Sequence, residues 1–177
     1  MLQSAVNKLR TGADESAVTD VLSTAEMNLE LPLDHFIPRS YIRDEKLRLG
    51  AYRQLAATED EAELDAVLRS LIDRYGPGPD QLDNLVYSLR VKLRGMRMGL
   101  RGVVAEGHDI VIRVDPQRLL DVDELNRRMA GRLSIGVNRI KMRRQGEGWQ
   151  KDLLDLLEDM ADLYRFANMA VTESRHG

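Results

Sequence analysis

The chain has 177 residues, 43% of them hydrophobic and 31% charged, and it contains no cysteine. That composition excludes a disordered segment, and the missing cysteine removes disulfides, thiolate metal sites and a cysteine nucleophile together, which fits a reducing, cytoplasmic compartment. Formal net charge is only −3, yet residues 1–89, 90–144 and 145–177 carry −7, +8 and −4, so a basic middle section lies between acidic flanks. Residues 1–10, with Leu2, Val6 and Leu9 on one side, form a short amphipathic piece without the continuous apolar core of a signal peptide. The following TGADESAVTD reads as a polar connection. MNLELPL at 27–33 alternates apolar and polar residues until Pro32, which predicts an edge strand, and an extended DHFIPRSYI follows.

From Asp44 the pattern turns helical. Asp44 caps a helix whose stripe is Leu47, Ala51, Tyr52 and Leu55. Thr58 is expected to cap a second helix with an acidic first turn, and Leu64, Val67, Leu68, Leu71, Ile72 and Tyr75 predict its buried face. Gly76 and Pro77 end it. A third helix starts near Pro79 and carries Leu82, Leu85, Val86, Leu89, Leu93 and Met96 before stopping at Gly99. Beyond Gly99 the period falls to two, so LRGVVAEGHDIVIRV predicts a hairpin turning at Glu106-Gly107. A short helix at 121–132, one strand over SIGVNRIKMRR, and a long helix from Trp149 to about Val171 complete the chain. That last helix turns Leu153, Leu157, Met160, Tyr164, Ala167 and Val171 inward. The expected fold is α+β, with helices packed on a small, mostly antiparallel sheet and a long C-terminal helix. Charged residues interrupt every apolar run well short of the roughly 18 residues of a membrane-spanning helix, so a soluble chain is expected.

Catalytic signals are weak. No Gly-Lys pair and no GxGxxG motif exists to cradle a phosphate, so nucleotide hydrolysis is not expected of this chain, nor any cofactor. His35, His108 and His176 lack a partner at ligand spacing and read as surface or packing residues rather than metal ligands. Ser134 has no local base. Asp155, Asp159 and Asp162 read as the wet face of the last helix, and Trp149 as a core anchor. The acidic run Glu59, Asp60, Glu61, Glu63 and Asp65 serves the start of the second helix or a basic protein partner. In the basic section, Arg90, Arg94, Arg97 and Arg101 are candidate phosphate contacts, which would make the chain a nucleic-acid-binding module. The same charges also suit the wet face of a sheet, and the section lacks the interleaved aromatics of a base-stacking platform.

Residues 31–99 carry a denser pattern. Leu31, Pro32, Ile37, Pro38, Tyr41, Ile42, Leu47, Arg48, Leu49, Tyr52, Leu71, Ile72, Asp73, Arg74, Tyr75, Gly76 and Pro79 stand in an order that resembles the C-terminal domain of bacterial transcription-repair coupling factor. Beyond Gly99 the resemblance is one of layout. It implies that residues 1–26 are a trailing helix and linker from an upstream motor module, with Met1 an internal residue, and that 27–177 form the regulatory domain. It implies a parent that is an ATP-dependent DNA translocase, displacing stalled RNA polymerase and recruiting the excision-repair protein UvrA. This part would dock on the parent's N-terminal UvrB-like module and mask its UvrA-binding surface, with DNA contacted through the motor. The family's docking helix bears two acidic positions one turn apart. Here the second is Asp73 while the first is Ser70, with Glu63 as a neighbouring acid able to compensate. The alternative role for Asp73 is a local pair with Arg69 or Arg74.

Overall fold

The computed structural model describes residues 12–24, 26–118 and 120–173. The amphipathic reading of residues 1–10 and His176 lie outside these, as do the side chains of Ala167 and Val171. The fold is α+β, and the chain divides into two compact units. One takes in the chain up to Thr24 and Pro32–Leu93, the other Ala25–Leu31 and the chain from Arg94 onward.

The first unit is helical. It holds α1 (Gly12–Leu22), α2 (Glu45–Ala56), α3 (Glu61–Tyr75) and α4 (Asp80–Met98) as far as Leu93. The expected polar connection is therefore a helix. Its buried residues Asp14, Val18, Val21 and Leu22 recur at helical spacing, but an aspartate holds the first inward position and disguises the stripe. Asp14 is buried because Arg48 of α2 meets it: Nε lies 2.7 Å from Oδ1 and Nη2 3.2 Å from Oδ2, with both side chains at most 2% exposed. Arg48 also donates to the Ile42 carbonyl at 3.0 Å, so one guanidinium ties α1, α2 and the extended segment together. The Tyr52 hydroxyl accepts from the buried Ile37 N–H at 2.7 Å, which fixes the Ile-Pro stretch against α2. Tyr41 donates to the Gly76 carbonyl at 2.8 Å and stacks edge-on with Tyr75, closing the end of α3.

The N-cap of α2 is Asp44, accepting from Leu47 N–H at 2.9 Å. That of α3 is Asp60 rather than Thr58, because Thr58 is drawn back to the end of α2, where its hydroxyl donates to the Leu55 carbonyl. Gly76, at φ 85°, supplies the left-handed turn that ends α3. Three expected core residues of these helices face outward, Leu47 at 51% exposure and Ile72 and Met96 at 39% each.

The second unit contains a five-stranded sheet in the order β1-β2-β3-β5-β4, formed by β1 (Asn28–Glu30), β2 (Gly102–Glu106), β3 (Asp109–Arg113), β4 (Leu133–Ile135) and β5 (Arg139–Arg143). β1 is an edge strand and pairs parallel to β2, and every other pairing is antiparallel. SIGVNRIKMRR is two strands rather than one. The chain reverses at Gly136-Val137-Asn138, where Val137 is 91% exposed, and Ile135 pairs with Ile140 across the turn. In β5 Ile140 and Met142 are buried between more exposed neighbours, whereas the central β2 and β3 bury consecutive residues, Val103 with Val104 and Ile110 to Ile112, so both of their faces are covered. α5 (Val122–Arg128) and α6 (Trp149–Glu173) complete the unit, and α6 buries Leu153, Leu156, Leu157 and Met160.

Candidate functional site

α3 buries only Leu64 and Leu71, so most of its circumference meets solvent. Glu63, Ser70 and Asp73 all stand on exposed positions. Asp73 pairs with neither Arg69 nor Arg74, and among the described residues its carboxylate makes no ion pair. It sits in the last turn, near the negative pole of the helix, where a carboxylate gains nothing from the dipole. Glu63 is differently placed. Its Oε2 accepts from the Glu59 N–H at 2.9 Å while its own N–H donates to Asp60 Oδ1 at 2.8 Å, a reciprocal cap on the first turn. Seven residues of helix put it about 10 Å along the axis from Ser70.

Beneath this face, burial first and the negative charge of Asp83 second push the Tyr41 phenol above its ordinary value, so it remains a donor to the Gly76 carbonyl. Ser70 also borders a hollow of about 110 Å³ between α2 and α3. The expected apolar stripes do not include Gly50, which opens onto that hollow; a glycine inside a helical pattern is the one signal that marks it.

The candidate phosphate contacts do not form a free row. Arg90 is bonded to Glu61 at 3.2 Å and to Asp65, both on α3. Arg94 donates to the Leu154 carbonyl at 3.1 Å. Arg101 pairs with Asp115 at 3.0 Å, and the Gln117 N–H, then the Arg101 guanidinium, hold that carboxyl below the usual range. Arg97 is exposed and forms no ion pair among the described residues. Other arginines of the basic section are also engaged: Arg127 and Arg128 with Glu124, Arg128 with Asp159, and Arg132 with Asp152. Glu124 is accordingly held below the ordinary carboxylate range, by its bond to Arg127 first and to Arg128 second. Ser88 Oγ lies 3.4 Å from His35 Nδ1, a packing contact in the helical unit, and His108 sits in the exposed β2–β3 turn.

A sequence model of the TRCF domain matches residues 31–125, more than half of the chain. The chain belongs to the TRCF domain family. Curated relatives include the transcription-repair-coupling factor of Mycobacterium tuberculosis (strain CDC 1551 / Oshkosh), 33% identical over 112 residues, 63% of this chain and 9% of that protein. That of Escherichia coli (strain K12) is 30% identical over 101 residues, 57% of this chain and again 9% of the relative. The chain thus spans about a tenth of the length of the curated relatives it matches. A crystal structure of the C-terminal domain of a transcription-repair coupling factor superimposes with a TM-score of 0.69 at 19% identity, covering 79% of this chain and 94% of that one. The TRCF domain here therefore has that fold, and the residues of its sequence pattern are largely the fold's own fastenings: Arg48, Tyr52, Tyr41 and Gly76.

Proposed function

We propose that this chain is the C-terminal regulatory part of a transcription-coupled DNA repair translocase in the cytoplasm. Through the exposed face of α3 it docks on the N-terminal UvrB-like module of the same parent and masks the UvrA-binding surface. It performs no chemistry itself, and it reaches UvrA and RNA polymerase only through the parent, as it reaches DNA only through the parent's motor. Residues 1–26 lead in from that motor and 27–177 make the regulatory domain, with Asp14 of the lead-in anchored on Arg48.

The observation that supports this reading is Asp73: exposed, without an ion pair among the described residues, and set where the helix dipole gives it no reason to be. A charge with no internal role fits an external partner, and in the family pattern that partner is arginine. A half-exposed pair of this kind contributes about 0.5–2 kcal/mol. With Ser70 supplying no second charge and Glu63 occupied at the helix start, the contact relies on the high effective concentration of a shared chain. The test is Asp73→Arg in the parent protein. UvrA capture is expected to rise above the wild-type level, and capture unchanged from wild type would remove Asp73 from the docking face.

A further inference from the structure

The hollow between α2 and α3 is bordered by Lys46, Leu47, Gly50, Ser70, Leu71 and Arg74, all within the helical unit. Gly50 lies in the middle of α2, where glycine weakens a helix relative to alanine. Nothing in the fold asks for it. Its φ is not positive, and a β-carbon built there meets no atom within 4 Å. A side chain at position 50 would thus have room, and the glycine leaves the space above it open. Leu47 stands half exposed at the edge of the same hollow, and the buried Leu71 and Ala51 give it an apolar part beside the polar Gln54. The rim is cationic. Lys46 and Arg74 are exposed, and neither makes an ion pair among the described residues. No carboxylate is among the residues that border the hollow.

We infer that this hollow is a second contact of the docking face, receiving one apolar side chain flanked by a carboxylate. The apolar side chain sits over Gly50 between Leu47 and Leu71, and the carboxylate bonds to Lys46 or Arg74. The hollow's volume suits a single leucine or methionine side chain rather than a small-molecule ligand, whose pockets run from about 300 Å³ upward. The charge of the rim specifies the neighbour. Beside it, Asp73 takes a cation from the same partner, so the surface reads a partner of mixed charge rather than a basic patch alone. The partner's identity, the UvrB-like module of the parent, rests on the docking reading above.

Two substitutions in the parent separate the contacts. Gly50→Leu fills the hollow with the chain's own side chain and improves helix propensity, so the isolated chain should melt at or above the wild-type temperature. In the parent it should unseat the domain and raise UvrA capture by about fivefold. Arg74→Glu should raise it too, with an effect that shrinks as salt is added, and it decides the matter if Gly50→Leu lowers the melt. Raised capture with Asp73→Arg but wild-type capture with Gly50→Leu and Arg74→Glu would overturn the hollow and leave the docking reading standing. The opposite pattern would keep the hollow and remove Asp73, and wild-type capture by all three would overturn both.

Discussion

A fully buried arginine is costly unless its charge is met, and Arg48 is met by a residue 34 positions away. Removing the partner leaves the cation stranded, so Asp14→Ala should lower the unfolding free energy by about 3–5 kcal/mol in urea titrations. Replacing the pair together, Arg48→Met with Asp14→Leu, should recover most of that loss, because an apolar pair of similar bulk needs no desolvation. Asp73→Arg, by contrast, changes an exposed residue that makes no ion pair among the described residues and should shift the chain's stability by no more than about 0.5 kcal/mol. These two aspartates also mark how far single residues can be read from sequence. The residues that reveal the family, Ile37, Tyr41, Arg48 and Tyr52, are visible because the fold needs them at fixed places. Asp14 is not, since its role depends on a contact no local pattern encodes.

Among the elements, helices with a clean apolar face are legible and those carrying a buried charge are not. α4 follows its predicted stripe from Leu82 to Leu93, whereas α1 hides behind Asp14. β4 and β5 merge in the sequence into one strand because Val137, a β-branched residue, sits at the tip of their turn, where it is exposed rather than packed. The start of α3 shows competition between two good caps. Thr58 and Asp60 both qualify by residue type, and Asp60 takes the position because Thr58 already binds the Leu55 carbonyl. Asp60→Ala should therefore destabilise the chain by about 1 kcal/mol, and Glu63→Ala by somewhat less. Thermal melts of the two variants beside Thr58→Ala check this, and a larger loss from Thr58→Ala would contradict the cap assignment.

At the scale of the whole chain, the uneven charge that suggests a nucleic-acid partner is met in part from within. Glu61 and Asp65 from the acidic N-terminal section hold Arg90, and Asp152 and Asp159 from the acidic C-terminal section hold Arg132 and Arg128. The acidic flanks and the basic centre answer one another, which net charge by segment does not reveal. Duplex DNA titrated by anisotropy is accordingly expected to show no micromolar binding at moderate salt, and salt-sensitive binding in that range would revive the Arg97-centred alternative. The proposed docking face was legible only in part: the family pattern points to Asp73 and Ser70, but their exposure is a property of how α3 is set against its neighbours. The most direct measurement is a competition: the purified UvrB-like module is saturated with this chain, or with its Asp73→Arg variant, and UvrA capture is then recorded. The wild-type chain should reduce UvrA capture and the variant should fail to do so. Equal capture with and without the wild-type chain, at concentrations where the two are shown to be bound, would contradict the masking function.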